Sequence, residues 1–274
     1  MMDTQLALLI ARLARPAMFP MRTAESQQLA AMTTETLCCG EHRTRVLINE
    51  NRDPQAKNAL LLHGWGGHPM MLSLTKNLLH ARGYRVYMPF LLGHDPLAPA
   101  CCDFTCQCQL LLMMQKTFGT FDAVIAHSAG GIITALSYWL GFRFNQLVLL
   151  SAPASFYSLL RHYLMQNHVA EHYLTSLCAY YQSRYPVPTA LQTESLYTFN
   201  AARVLIVHAK QDRKIHFADA QQIQAQLPNS QLEVIEDTGH MGILSHQRTQ
   251  QVLAAFLCAT NADQDKGKNY ARTY

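Results

Sequence analysis

A serine, Ser128, stands where a run of apolar residues gives way to small ones, in the stretch FDAVIAHSAGG. The letters AHSAG (residues 126–130) approximate the Gly-x-Ser-x-Gly pattern, in which a strained strand-to-helix turn projects a serine hydroxyl. Ala126 replaces the first glycine but is still small. A helix that starts after the serine would aim backbone N–H groups at charge that develops there. The stretch therefore predicts a nucleophile, although an ordinary strand-to-helix turn also fits it.

A nucleophilic hydroxyl needs a base, and the base needs a group that orients it. His240 follows the last apolar run, in the loop EDTGHMG, and Asp212 follows an earlier run in VLIVHAKQDRKI. Asp237 is the alternative acid, but it precedes the histidine loop instead of ending an earlier strand, so we prefer Asp212. All three predicted residues follow the carboxyl ends of strands, where open α/β sheets place their sites. Their order, Ser128 then Asp212 then His240, is the order that the serine pattern predicts.

A glycine-rich loop, HGWGG (residues 63–67), follows another apolar run. Acyl transfer needs hydrogen-bond donors for the negative oxygen that forms in the transition state. We expect the backbone N–H groups of Trp65 and Ala129 to be these donors. His63 is expected to support the loop rather than to react.

Three residues beside the predicted catalytic groups are assigned to substrate binding: Gly64, His127 and Met241. His127 adjoins the nucleophile and is expected to line or support the pocket. His208 lies within a strand-like run and is interpreted as a core histidine.

These residues must be positioned by strands that alternate with helices. Near-continuous apolar runs predict strands at 44–50, 59–64, 84–90, 121–128, 146–153, 202–209 and 231–237. Helical patterns lie between them at 70–82, 103–117, 130–140, 217–227 and 246–258. This alternation predicts an α/β fold with a mostly parallel central sheet and helices on both faces.

The rhythm of strands and helices divides the chain. We predict an α/β core over 37–153 and 201–260, interrupted over 154–200 by a tyrosine-rich helical insertion that lies over the sheet. Residues 1–36 are predicted as an N-terminal helical extension and 261–274 as a polar tail.

The N-terminal stretch has apolar residues at helical spacing but fits neither a secretory signal nor a membrane span. We expect its apolar face to dock on its own domain, with peripheral contact to a membrane surface as the alternative.

The charge and the cysteine content indicate which partners and sites to expect. The formal net charge is +4 and the basic residues are not clustered, so the sequence predicts no nucleic-acid partner. The eight cysteines suit a reduced, cytoplasmic protein better than a disulfide framework. The cluster CCDFTCQC (residues 101–108) does not have the usual paired zinc spacing, so we predict no metal and interpret its thiols as small hydrophobic groups.

Four motifs in order, HGWGG, AHSAGG, HAKQD and GH, make the chain resemble the α/β-hydrolase fold serine hydrolases, an esterase- and lipase-like superfamily, over about residues 58–258. The resemblance implies Ser128 as nucleophile, His240 as general base and then acid, and Asp212 as the residue that orients it. It also implies a cap over the site, a role that the helical insertion at 154–200 fits. Relatives with an aspartate nucleophile, such as haloalkane dehalogenases and epoxide hydrolases, are disfavoured by the serine.

We therefore expect an enzyme without a cofactor that cleaves a small-molecule carboxylic ester or thioester through an acyl-enzyme on Ser128. The alternatives are an acyltransferase, a lyase or a C–C hydrolase with the same triad, or a non-catalytic binding protein of the same fold.

Overall fold

An eight-stranded sheet forms the centre of the computed structural model, which describes residues 3–184, 196–197 and 203–258. Its strands are β1 (Thr33–Cys39), β2 (His42–Asn49), β3 (Asn58–Leu62), β4 (Arg85–Pro89), β5 (Phe121–His127), β6 (Phe144–Leu150), β7 (Arg203–Ala209) and β8 (Gln231–Ile235). They lie side by side in the order β1-β2-β4-β3-β5-β6-β7-β8. β2 pairs antiparallel with β1 and with β4, and the other pairs are parallel. The predicted mostly parallel sheet is therefore confirmed.

Helices connect the strands and cover the sheet. They are α1 (Thr4–Leu13), α2 (Thr23–Ala30), α3 (Ser73–Ala81), α4 (Phe104–Phe118), α5 (Ala129–Trp139), α6 (Phe156–Gln166), α7 (Tyr173–Gln182), α8 (Phe217–Gln226) and α9 (Gln247–Cys258). None of the helices in the described ranges is long and apolar enough to cross a membrane.

Apolar residues of the strands contribute to two separate cores, one on each face of the sheet. Leu60 and Leu62 of β3 pack in the core that includes residues of α4, α5 and α8. Ala59 and Leu61 pack in the other core, with residues of α3 and α9. Because successive strand residues point to opposite faces and both faces are covered, the run is apolar without alternation.

Strand β1 is absent from the sequence prediction. It begins at Thr33, inside the range predicted as a helical extension, so the sheet starts four residues before the predicted core. The physical reason is that β1 is an edge strand with little burial: only Leu37 and Cys39 are buried in it. A strand with so few buried positions has no apolar run from which it could be predicted.

Two helices, α6 and α7, occupy the described part of the predicted cap. Phe156 and Leu160 of α6 and Tyr181 of α7 are fully buried against the core. The division into core and cap stays a prediction, because residues 185–195 and 198–200 lie outside the described residues, as does the predicted tail at 261–274.

The apolar face of α1 docks on its own domain. Leu9 and Leu13 are buried, and Leu6 and Ile10 pack partly buried against the same core. Asp3 caps the helix by accepting a hydrogen bond from the Gln5 N–H group.

Candidate active site

The backbone at Ser128 has the conformation that the sequence predicts for a nucleophile. Its φ of 55° and ψ of −125° lie in a region that residues with side chains rarely adopt, so the turn between β5 and α5 is strained. A side chain at Gly130 would lie 3.0 Å from the Leu62 carbonyl oxygen, and one at Gly131 would lie 2.8 Å from the Ala152 Cβ atom. The small residues after the serine are therefore required because α5 packs closely on the sheet.

The structure brings Ser128, His240 and Asp212 together in one hydrogen-bonded chain. The His240 Nε2 atom lies 3.0 Å from the Ser128 Oγ atom. On the other side of the ring, the Nδ1 atom lies 2.8 Å from the Asp212 Oδ2 atom. The three residues come from the turn after β5, the loop after β8 and the loop after β7, so loops at the carboxyl edge of the sheet hold all of them.

Asp212 is held by its own loop. Its Oδ1 atom accepts hydrogen bonds from the N–H groups of Lys214 (2.8 Å) and Ile215 (2.9 Å), which leaves Oδ2 for His240. Burial acts to raise the pKa of the carboxyl group, but the hydrogen bonds from the histidine and the two backbone groups outweigh it and lower the pKa from 3.8 to about 2. The carboxylate is thus charged and fixed in direction, which orients the imidazole.

The alternative acid, Asp237, occupies a different environment. It is exposed, with a φ of 55°. Within the part of the chain that the structure describes, it forms no hydrogen bond to His240. Although Asp237 is close to His240 in the sequence, it is not part of the hydrogen-bonded chain that the described residues form.

Trp65 and Ala129, the residues predicted to donate to the oxyanion, lie near the serine. Both line the same cavity as Ser128, and Ala129 is the first residue of α5. Among the described residues, neither backbone N–H group has a hydrogen-bond acceptor. Two donors without an acceptor beside a serine hydroxyl are suited to binding a negatively charged oxygen.

Two buried histidines hold the HGWGG loop in place. His63 accepts a hydrogen bond at Nε2 from the Leu91 N–H group (3.2 Å), and His94 accepts one at Nε2 from the Gly66 N–H group (3.0 Å). Burial lowers the pKa of His63 well below its usual value and that of His94 to about 4. Both rings are therefore neutral acceptors at neutral pH. The supporting role of His63 is the one expected from the sequence, whereas no sequence pattern indicates the role of His94.

The indole ring of Trp65 is fastened on both sides. Its Nε1 atom donates a hydrogen bond to the Leu13 carbonyl oxygen (3.1 Å), and its ring stacks on Phe104 with centroids 4.3 Å apart. The N–H group of Phe19 donates to the Gly66 carbonyl oxygen (2.8 Å). The loop is thus attached to the N-terminal segment, a connection that no sequence pattern indicates.

The residues assigned to substrate binding divide by role. His127 is buried, and its Nε2 atom donates a hydrogen bond to the His240 carbonyl oxygen (3.0 Å), so it positions the histidine loop. Burial, followed by the charge of His240, lowers the pKa of His127 to about 3, which keeps it neutral. Gly64 leaves room for the serine, because a side chain there would lie 3.0 Å from the Ser128 Cβ atom. Met241 lines the cavity.

A cavity of about 150 Å³ opens beside the serine. Much of its wall is apolar and comes from segments far apart in the chain: Leu13, Phe19, Met71, Leu159, Leu160 and Tyr163. His162, Gln166 and Lys214 add polar groups. The two N-terminal wall residues, Leu13 and Phe19, are not predicted from the sequence. Helical spacing marks Leu13 only as apolar, and Phe19 carries no signal.

One carboxylate anchors helix α6 beside this cavity. Asp219 of α8 accepts hydrogen bonds from His162 Nε2 (3.1 Å), from the Ala154 N–H group (2.7 Å) and from the Ser158 hydroxyl. Burial acts to raise the pKa of Asp219, but these donors lower it. The carboxylate therefore satisfies donors on α6 and the segment before it, and helps to fix the wall of the cavity.

Comparison with known proteins gives the same architecture. Residues 59–255 match the sequence profile described as the alpha/beta hydrolase family. No curated protein sequence is significantly similar to the chain.

Solved structures with this fold are numerous. A candidate lipase from Acinetobacter baumannii AYE is 18% identical, with a TM-score of 0.62 over 94% of this chain and 97% of that chain. A serine hydrolase from the polyaromatic hydrocarbon-degrading bacterium Cycloclasticus zankles is 17% identical, with a TM-score of 0.60 over 83% and 98% of the two chains. The 2-hydroxy-6-oxo-6-phenylhexa-2,4-dienoate hydrolase from Rhodococcus sp. strain RHA1 is 17% identical, with a TM-score of 0.59 over 81% and 96%. At these identities the likeness shows the fold alone.

Proposed function

Since this chain belongs to the alpha/beta hydrolase family, we propose that it is a serine hydrolase that cleaves a carboxylic ester or thioester through an acyl-enzyme on Ser128. The observation that carries the proposal is the hydrogen-bonded chain from Ser128 through His240 to Asp212, which begins at a cavity that Trp65 and Ala129 also line. The backbone N–H groups of these two residues have no acceptor in the part of the chain that the structure describes. These are the parts that acyl transfer requires: a nucleophile, an oriented base and a site for the oxyanion.

In the first half-reaction, the Ser128 Oγ atom attacks the carbonyl carbon and its proton passes to His240 Nε2. The carbonyl oxygen becomes an oxyanion, which the N–H groups of Trp65 and Ala129 stabilise. One such donor contributes roughly 3 kcal/mol to the transition state. His240 then gives the proton to the departing alcohol or thiol, and the acyl group remains on the serine. Asp212 keeps Nδ1 protonated throughout.

In the second half-reaction, His240 removes a proton from water as the water oxygen attacks the acyl-enzyme. The same two donors stabilise the second oxyanion. When this intermediate collapses, the serine oxygen leaves and takes the proton back from His240. The products are a carboxylic acid and a free Ser128 hydroxyl, so the cycle needs no external reductant, oxidant or cofactor.

The size and wall of the cavity favour a substrate with a small apolar acyl or aryl group. Its volume of about 150 Å³ is comparable to that of an apolar cavity that holds a benzene molecule. The wall residues on α6 and in the N-terminal segment are mainly apolar, and a buried apolar group contributes about 25 cal/mol per Å² of area removed from water. We therefore propose short acyl or aryl esters and thioesters as the substrate class.

Covalent labelling tests the proposal. Intact-mass analysis after treatment with a fluorophosphonate should show one adduct on the wild type and none on Ser128→Ala. Ser183→Ala, a change at an exposed serine after α7, is the matched control and should label like the wild type. Absence of the adduct from folded wild-type protein, with the smaller phenylmethylsulfonyl fluoride as well, would refute an activated serine.

Product analysis separates hydrolysis from other chemistry at the same triad. Ester and thioester substrates of increasing acyl length should release the free acid at a rate that does not depend on added alcohols or amines. An acyl product that appears only with such an acceptor would identify a transferase instead. Labelling at Ser128 without turnover of any acyl substrate would favour C–C bond cleavage, which should be assayed with vinylogous 1,5-diketones.

A further inference from the structure

A second group of chemically reactive side chains lies away from the serine. The Nδ1 or Nε2 atom of His42 and the Sγ atoms of Cys102 and Cys106 all lie within 4.8 Å of one another. The eight cysteines of the chain, all of them in the described ranges, are free thiols. The group therefore offers one imidazole nitrogen and two sulfur ligands, and the proposed reaction uses none of them.

Two segments that lie far apart in the chain supply these ligands. His42 opens strand β2, Cys102 lies in the loop before α4, and Cys106 is in the first turn of α4. Asp103 fixes the loop by accepting a hydrogen bond from the Thr105 N–H group at the start of the helix (2.9 Å). Ligands that the fold positions in this way need little rearrangement to bind an ion.

The ligand spacing suits a tetrahedral ion. Zinc–sulfur bonds of about 2.3 Å and zinc–nitrogen bonds of about 2.0 Å place neighbouring ligand atoms roughly 3.5–3.8 Å apart in a tetrahedron. The observed group lies within 4.8 Å, so contraction by about 1.3 Å at most brings the three atoms to that spacing. Cys102 is buried, whereas His42 and Cys106 are partly exposed, so an ion can enter and water can fill a fourth position.

From this geometry we infer that His42, Cys102 and Cys106 form a binding site for a divalent ion of the zinc class. Sulfur and imidazole ligands select such ions over magnesium or calcium, which prefer oxygen. The sequence predicts no metal because the two cysteines alone lack a second ligand pair, and His42 joins them only through folding. The site is independent of the proposed reaction at Ser128.

The position of the site predicts a structural role. Phe104 lies between the two cysteines in the chain and stacks on Trp65. The Cys102 N–H group donates to the Ala14 carbonyl oxygen (3.1 Å), which attaches the same loop to the N-terminal segment. An ion held by His42 would tie this loop to β2, and so stabilise one wall of the cavity without touching the reacting atoms.

Equilibrium metal binding tests the inference. Protein that has been reduced and stripped with a chelator is titrated with Zn²⁺ against a chromophoric competitor, and in parallel with Co²⁺. We expect one equivalent to bind, with the thiolate-to-cobalt charge-transfer band and the intense visible bands of a four-coordinate Co²⁺ site. His42→Gln, Cys102→Ala and Cys106→Ala should each weaken binding more than about 100-fold, since changes even to outer-shell partners cost ~10–100-fold.

Two neighbouring thiols provide matched controls. Cys38→Ala and Cys101→Ala change exposed cysteines next to the site in sequence and should bind zinc like the wild type. Binding of the same stoichiometry and affinity by a variant that lacks all three ligands would show adventitious sites and overturn the inference. Absence of any bound ion in the reduced wild type would also overturn the inference. That result would hold even if Cys102 and Cys106 formed a disulfide on oxidation.

A measurement on the wild type alone covers the case in which a ligand variant does not fold. N-ethylmaleimide labelling followed by peptide mass spectrometry should show that Zn²⁺ protects Cys106 and not Cys38 or Cys101. Equal labelling of Cys106 with and without zinc would contradict the site. Fluorophosphonate labelling of the stripped protein reports separately on Ser128, so failure of one proposal is distinguishable from failure of the other.

Discussion

Replacement of Asp212 by asparagine examines how the carboxylate directs the base. The Oδ1 atom of Asp212 accepts two backbone N–H groups, so the asparagine carbonyl oxygen must take that position and its NH₂ group must face His240. An NH₂ group there can only donate, and the His240 Nδ1 atom must then be the acceptor. The proton moves to Nε2, and the ring presents N–H instead of a lone pair to the Ser128 hydroxyl.

This exchange of tautomers removes the base while it leaves the other groups in place. The corresponding change in a serine protease lowers kcat about 10⁴-fold, and we expect a similar loss here, which equals about 5 kcal/mol of transition-state stabilisation. Asp237→Asn is the matched control and should lose less than about twofold, because that residue is exposed and forms no hydrogen bond to His240 in the described structure.

The assay combines steady-state hydrolysis of a short acyl ester with the rate of fluorophosphonate labelling, on both variants and the wild type. Thermal unfolding confirms that each variant is folded. A variant Asp212→Asn that keeps more than a tenth of the wild-type kcat would refute the reasoning. Loss of activity in Asp237→Asn instead would assign the orienting role to that residue.

The same carboxyl group predicts a dependence of stability on pH. Its pKa is lower in the folded protein, about 2, than its ordinary value of 3.8, so the unfolded chain binds the proton more readily. The stabilisation is complete above about pH 4 to 5 and is lost as the pH falls toward 2. The difference in unfolding free energy between the wild type and Asp212→Asn should therefore shrink over this interval in urea titrations.

Three further predictions concern the structure around the site. In urea titrations, Gly66→Ala should lower the free energy of unfolding by about 3 kcal/mol, because a side chain at this residue (φ 77°) would lie 2.6 Å from a backbone oxygen. Gly83→Ala (φ 81°) is the control and should lower it by about 1 kcal/mol, because the space around this residue is open. Asp219→Ala should lower the free energy of unfolding by about 3 kcal/mol, since it leaves buried donors on α6 and in the segment before it without an acceptor. Phe19→Ala should lower kcat/KM for short acyl esters roughly tenfold and shift the preferred acyl length upward in an ester series, because it removes part of the cavity wall.

The sequence predicts the centre of the sheet and the hydrogen-bonded chain well for a common reason. Strands that are buried on both faces must be apolar throughout, so β3, β5 and β7 are visible as runs of letters. A residue that ends such a run lies at the carboxyl edge of the sheet. Ser128 and Asp212 can therefore be located without any knowledge of their distant contacts.

What the sequence does not predict depends on contacts between segments that no local pattern links. Phe19 lies outside every periodic run and reaches the cavity because its N–H group pairs with Gly66. His94 follows β4 in the stretch LLGHDPLAP, which has no pattern that indicates a supporting role, and only the fold shows that it accepts a hydrogen bond from the same glycine. Each role is a property of a pair of segments, and a pattern read along one segment cannot contain it.

Contacts of this kind make the N-terminal segment part of the domain that holds the proposed active site. Read along the chain, it is a short amphipathic extension before the core. In the structure, its carbonyl oxygens accept from the Trp65 indole and from the Cys102 N–H group, while Leu13 and Phe19 form part of the cavity wall. The loop that carries a proposed oxyanion donor is thus braced by residues that precede the sheet. A boundary drawn where the apolar strands begin would cut through the proposed active site, since the residues that shape the cavity lie on both sides of it.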